Sequence, residues 1–383
     1  MPRPVEAVLV GAGRRGYHNF GQYALNHPDE LRYVAVAEPD QESRERFARA
    51  HGIPPERRFQ SWEGLAARGQ LAPVLVNSSN DTTHYVSTMA ALDSGYDVLL
   101  EKPMATTPTE CVSLARATRR LGRKLWVYYE MRNTDFFAKV AGIIQSGRLG
   151  GVVAVQHQEN VSYSHMAHSF VRGNWSDSRM SGPMILTKCC HDMDLFTWIL
   201  GRRAVRLSSF GSLLHFRRDQ APHSEVPGRC TDGCPIEEEC PFYAPRLYLG
   251  DRMGALANAI SMEQDYSSRL EALRNGPYGR CVYHSDNDVV DHQAVNMEFE
   301  GGLTVSLIMN GHSHKEGRTM RYDGARATLL GRYTKVGPEI TVHDHREERT
   351  ERVSTRLGDE HGGGDARLMA AFVRTVRGQE SEA

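Results

Sequence analysis

The apolar run at 7–10 passes straight into Gly11-Ala12-Gly13-Arg14-Arg15-Gly16, and a helix-compatible segment follows. Three glycines at this spacing between a strand and a helix suit a dinucleotide. The first permits a tight turn, the second lets backbone approach a pyrophosphate, and the third lets helix and strand pack closely. The helix N-terminus adds N–H donors and a positive dipole. Glu38 closes the second apolar run, about 20 residues on. A carboxylate there accepts hydrogen bonds from a ribose 2′-hydroxyl and repels a 2′-phosphate. The pattern predicts NAD rather than NADP, with Gly11, Gly13, Arg14, Arg15, Gly16 and Glu38 at the cofactor. A glycine turn that binds no nucleotide is the simpler alternative.

Glu101-Lys102-Pro103 follows the apolar run at 98–100, where open parallel sheets place their ligand crevice. Only six of the 46 basic residues are lysine, and lysine, unlike arginine, can give up its proton when desolvated. Lysines inside motifs therefore invite a chemical reading. With the glycine turn, this motif makes the chain resemble the glucose–fructose oxidoreductase / inositol dehydrogenase superfamily over essentially its whole length. Asn80 and His84 after the fourth strand, Arg132 after the sixth, and the run 146–150 at the domain junction carry the resemblance further. It implies NAD(P)-dependent oxidation or reduction at a carbinol carbon of a sugar, cyclitol or related molecule. It also implies that Lys102 contacts cofactor and substrate, that Asn80, His84 and Glu101 lie at the cofactor, and that Arg132 lies at the substrate.

The family's second signature is an aspartate, three residues and a histidine. Here the stretch reads Thr187-Lys188-Cys189-Cys190-His191-Asp192-Met193-Asp194, so His191 matches and Thr187 stands where the aspartate is expected. Threonine cannot serve as a carboxylate base, which leaves Lys188, Asp192 or Asp194 as substitutes. Were the segment one helix, Thr187, His191 and Asp194 would share a stripe with Lys188 at its edge. A plain Lys188–Asp192 pair is the structural alternative. Upstream, 156–168 and 170–175 interleave polar donors with aromatics, as a carbohydrate pocket requires. His165, Arg172, Trp175 and Asp194 are the candidate substrate contacts, with His361 a late contributor. Cys230, Cys234, Cys240 and Cys281 could close a structural zinc site in an otherwise polar insertion. Their spacing matches no standard pattern, and buried or free thiols are the alternative.

These residues need a frame. Apolar runs at 7–10, 33–37, 74–77, 98–100 and 125–128 alternate with helical stretches at 43–51, 86–94, 109–121 and 136–146, the rhythm of a Rossmann parallel sheet covered on both faces. Mixed polar and apolar runs at 152–158, 204–214, 295–299, 303–309 and 327–330 predict a second domain whose sheet is open to solvent on one face, and the family resemblance implies that it is an α/β domain with a large, mostly antiparallel sheet. The expected division is 1–127 for NAD binding and 128–383 for substrate binding and oligomerisation, with the cysteine insertion around 217–250. The run 358–364 reads as a connector to a closing helix capped by Asp365. A net charge near −1 argues against nucleic acid or an anionic membrane as partner. Seven cysteines, three of them crowded between Cys230 and Cys240 unlike an evenly spread disulfide framework, and the lack of a long apolar run point to a soluble, cytoplasmic protein. The expected function is an NAD-dependent oxidoreductase, a homo-oligomer in which Lys102 and His191 handle a hydroxyl proton. The alternatives are a redox-neutral glycosidase or lyase that recycles bound NAD through a keto intermediate, and a non-catalytic dinucleotide sensor.

Overall fold

Five of the six residues of strand β1 (Val5–Val10) are buried, as a parallel strand with helices on both faces demands. A computed structural model describes residues 3–250, 252–261, 263–334, 337–356 and 363–379. His361 and most of the 358–364 run lie outside the described residues. The chain divides into two units, Met1–Asp135 with Gly358–Ala383, and Phe136–Leu357.

In the first unit β2 (Leu31–Ala37), β3 (Arg58–Phe59), β4 (Val74–Asn77), β5 (Asp97–Leu100) and β6 (Leu125–Val127) join β1 in the order β3-β2-β1-β4-β5-β6, all parallel. Alternate residues feed two cores. Ala7 and Leu9 meet Leu31, Tyr33, Val74, Val76 and Leu99 on one face. Val8 and Val10 meet Ala35, Ala37, Leu75, Val98 and Leu100 on the other. The helix after Lys102, Pro108–Leu121, starts at a capping box in which Thr107 and Glu110 satisfy each other's backbone N–H, fixing where that loop ends. The closing helix Gly364–Val376 buries Met369, Phe372 and Val373 in the first core, each side chain contributing about 1.5–3 kcal/mol. The sequence division counted this helix with the second domain; its apolar face belongs to the first sheet. Its N-cap is Gly363 at φ 72°, and Asp365 sits in the first turn instead of capping it.

The second unit holds an eight-stranded sheet in the order β14-β13-β12-β11-β7-β10-β9-β8. The strands are β7 (Val152–Ser162), β8 (Ala204–Ser212), β9 (His292–Phe299), β10 (Thr304–Ser313), β11 (Gly317–Gly324), β12 (Ala327–Tyr333), β13 (Glu339–Asp344) and β14 (Arg349–Val353). Only β7 and β10 run parallel. Val155, His157, Glu159 and Val161 of β7 share the buried face with Arg318, Met320 and Tyr322 of β11. On the opposite face Phe210, Ala294 and Ile308 lie in one cross-strand row, with Phe210 74% exposed. The insertion between β8 and β9 extends well past residue 250, because Arg229 bridges Arg280 and the Cys230 and Cys281 N–H groups donate to Gly279 and Gly228. Among the described residues no helix is long and apolar enough to cross a membrane.

Candidate active site

The first unit supplies a glycine turn built around close approach. Gly11 has φ 88°, and a Cβ there would sit 2.5 Å from the Ser78 carbonyl oxygen. A Cβ on Gly16 would collide with the Gly11 carbonyl, whereas one on Gly13 would meet nothing within 4 Å. The turn is thus closed where strand and helix touch and open at its middle glycine, as a pyrophosphate cradle requires. At the end of β2 the Glu38 carboxylate accepts the Ala12 N–H at 2.7 Å and the Asp40 N–H at 2.9 Å. That places the acid beside the turn, and this geometry fits NAD.

After β5, Glu101 is almost fully buried and accepts Arg15 Nε at 2.6 Å and the Lys102 N–H at 3.0 Å. Arg15 also reaches Asp365 at 3.3 Å. Burial works against the Arg15 charge, but Glu101 and Asp365 outweigh it and raise its pKa further. This pair fixes the Lys102 loop to the glycine turn. His84 is fully buried, with Nδ1 2.7 Å from the Pro103 carbonyl and Nε2 3.1 Å from that of Ser79. It ties the β4 loop to the Lys102 loop.

The second unit buries a chain of alternating charges on the covered face of its sheet. Lys188 Nζ lies 2.9 Å from Glu316 and 3.3 Å from Glu159. Glu159 lies 2.8 Å from Arg318, which forks onto Asp192 at 2.7 and 3.2 Å. His157 Nε2 donates to Asp192 at 2.8 Å. Burial would discharge Lys188, but Glu316 and Glu159 outweigh it and hold the ammonium. Burial would also raise the Asp192 carboxyl, yet Arg318 and His157 hold it well below the usual carboxylate range. Complete burial pushes the Glu159 carboxyl up against the pull of Arg318 and Lys188. Lys188 is therefore a fixed cation and a poor proton acceptor at neutral pH.

Family models match both halves: an oxidoreductase family, NAD-binding Rossmann fold, over residues 5–129, and that family's C-terminal alpha/beta domain over residues 142–383. The chain belongs to the Gfo/Idh/MocA oxidoreductase family. It is an NAD-binding oxidoreductase. It is similar to the oxidoreductase YteT of Bacillus subtilis, at 25% identity over 309 residues, 77% of this chain and 71% of that one. It is also similar to inositol 2-dehydrogenase 2 of Saccharopolyspora erythraea, at 29% identity over 184 residues, 48% of this chain and 47% of that one. In fold it resembles a levoglucosan dehydrogenase solved with NADH and levoglucosan, with TM-score 0.71 and 15% identity over 100% of this chain and 92% of that one.

Within this Gfo/Idh/MocA chain the predicted residues divide sharply. Gly13, Arg14 and Asn80 are exposed, and Arg132, Asp194 and Trp175 are half-buried. Trp175 stacks on Phe170 at 5.8 Å. Arg15, Glu101 and His84 hold loops by internal bonds. The segment 187–194 is not one helix: Met184–Thr187 ends at Lys188, and a second helix, Cys190–Leu200, begins beyond it. The single stripe and the Lys188–Asp192 pair are both lost, because Lys188 turns to Glu316 and Glu159 while Asp192 turns to Arg318. His191, in the first turn of the second helix, is mostly buried.

Arg172 is corrected from substrate contact to strut. Only 4% exposed, it donates to the Arg280 carbonyl at 2.7 Å and the Phe242 carbonyl at 2.7 Å, with Cys230 Sγ at 3.6 Å. The zinc expectation for Cys230, Cys234, Cys240 and Cys281 is corrected too. All four are free thiols, and among the described residues no group of three or more His, Cys, Asp or Glu side chains is placed to hold a metal ion. Burial raises the thiols of Cys234 and Cys240 and pushes Cys281 up to about 11, favouring the protonated form. The insertion has its own apolar core of Ala244, Leu247, Tyr248, Met253 and Leu273, and that core does the work asked of a metal. No local pattern marks Glu316 and Arg318, because the stretch around Gly317 is polar and lacks the alternation of a strand. His157 and Glu159 left a signal, since they share the parity of Val155 and Val161 in β7.

Proposed function

We propose that this chain transfers hydride between NAD and a carbinol carbon of a sugar, cyclitol or sugar derivative. The observation that carries the reading is the open glycine turn with Glu38 held beside it by the Ala12 N–H. NAD, when bound, accepts or supplies the hydride; the protein supplies position and proton transfer. Gly11, Gly13 and Gly16 shape the pyrophosphate cradle, Arg14 and Asn80 stand at its exposed rim, and Glu38 selects the unphosphorylated ribose. Arg15 and Glu101 fix the Lys102 loop, and Lys102 positions the reacting hydroxyl and stabilises its charge. His191 exchanges the hydroxyl proton as the principal acid and base. Arg132, His165, Trp175 and Asp194 are the substrate contacts. The relatives' names support the substrate class, since one acts on inositol and another was solved with levoglucosan. Seven free cysteines support a reducing cytoplasm, and the row Phe210, Ala294 and Ile308 supports self-association through the open sheet face.

The test is a panel of sugars, cyclitols and glycosides incubated with protein and NAD, scored for nicotinamide absorbance and for products. Stoichiometric reduction of NAD with a polyol supports the reading. Product release without net reduction would move the chain to the redox-neutral class.

A further inference from the structure

Thr187 stands where the family resemblance expects an aspartate, but it is buried, and its hydroxyl lies 3.4 Å from the Pro183 carbonyl. A different carboxylate is held nearby by three donors. Glu316, in the turn between β10 and β11, accepts Lys188 Nζ at 2.9 Å and His165 Nδ1 at 3.0 Å on one oxygen, and the Ser162 N–H at 2.9 Å on the other. The side chains of His165 and Glu316 are 23% and 25% exposed, so the pair reaches solvent while Lys188 and Glu159 behind it are more deeply buried.

We propose that Glu316, anchored by Lys188, is the positioning carboxylate of a proton-carrying dyad with His165, replacing from this turn the carboxylate absent at Thr187. The proposal rests on the dehydrogenase reading above. Donation from Nδ1 to Glu316 fixes the tautomer, so a proton exchanged with a ligand passes through Nε2. In the oxidative direction the substrate O–H bond breaks and its proton goes to His191, which hands it on to His165 Nε2, while the O–H bonding pair becomes the second C–O bond of the ketone. The hydride is taken up by the nicotinamide chemistry already stated. Glu316 balances the imidazolium, which then passes its proton to water. Reduction runs the same transfers backwards.

The charged groups around the dyad form one series. Lys188 comes from the break between the two helices, Glu159 from β7 and Arg318 from β11, with Asp192 beyond Arg318. The Phe170 ring flanks His165 at 6.0 Å. Lys188 sets the Glu316 carboxylate in place and lowers the carboxyl's proton affinity, so Glu316 stays charged through the range in which an imidazole titrates.

Histidine-labelled full-length protein followed by NMR across pH tests this without substrate, His165→Gln assigning the resonance by its loss. Glu316→Gln is expected to lower the His165 midpoint by about one pH unit, a tenfold loss of proton affinity, because the neighbouring negative charge is gone. Glu316→Asp, which keeps the charge, should restore most of the shift and guards against misfolding of the amide variant. In turnover, Glu316→Gln should move the acid limb the same way, with KM changed less than about threefold, and His165→Gln should lower kcat at least about tenfold. An unmoved His165 midpoint in Glu316→Gln overturns the dyad whatever the substrate proves to be. A wild type that reduces no NAD with any polyol overturns the dehydrogenase reading instead, with the midpoint still deciding the dyad.

Discussion

The proposed selection of NAD over NADP rests on Glu38. Its carboxylate is already held by the Ala12 N–H of the glycine turn and by the Asp40 N–H of its own loop, so a 2′-phosphate would meet a fixed like charge. The wild type should bind NAD more tightly than NADP, and Glu38→Ala should reduce that preference. Both dissociation constants measured in both proteins check it; an unchanged ratio would remove Glu38 from the ribose. His191 and Lys102 carry different expectations. His191→Ala should lower turnover about a hundredfold while NAD affinity holds, the range for losing a general acid–base group. Lys102→Ala should impair both substrate affinity and turnover, and Lys102→Arg should not rescue them, since a guanidinium neither reproduces a compact ammonium nor gives up its proton. Steady-state kinetics with separate NAD titrations distinguishes these outcomes. Lys188 shows what sequence alone withholds at this scale. Its rarity and position suggested a base, but its two carboxylate partners lie in β7 and in a turn more than a hundred residues away, and they fix it as a cation.

Strands β7 and β11 and the helix Cys190–Leu200 are tied by Asp192, Arg318, Glu159 and His157, all buried. Arg318→Met should cost about 3–5 kcal/mol, because it leaves two carboxylates buried without their cation; urea unfolding at neutral pH measures this, and an unchanged midpoint would contradict it. The pH dependence has a definite sign. Asp192 and Glu316 are held below their unfolded values, so their stabilisation is full above about pH 4 and is lost as pH falls through the folded pKa values. Thermal midpoints should drop as pH is lowered from about 5 toward 2, and Asp192→Asn should flatten part of that slope. Elements with pure patterns were legible: the continuous apolar strands β1, β4 and β5 and the helices between them stand where the periodicity puts them. Strands β11, β13 and β14 were not, because charged residues at inward positions and polar edges mask the alternation that marks a strand.

Across the whole chain, the glycine turn, the acid and the Glu-Lys-Pro loop made the family legible, since each is a short contiguous pattern at the end of an apolar strand. The second unit's site depends on contacts between distant segments, which no local pattern encodes; the cysteines likewise looked like a metal set only while the insertion's own apolar core was out of view. The exposed row Phe210, Ala294 and Ile308 leads to one expectation about assembly: light scattering should give a multiple of the 42.9 kDa chain mass, and Phe210→Asp should lower it. A monomeric wild type would contradict this. The central claim, hydride transfer between NAD and a carbinol carbon, is tested most directly by following nicotinamide absorbance while purified protein and NAD are offered inositols, free sugars and anhydrosugars in turn. The account predicts that at least one gives NADH and the corresponding ketone in equal amounts, with NADP a poorer acceptor. No NADH from any polyol by protein shown to bind NAD would contradict it.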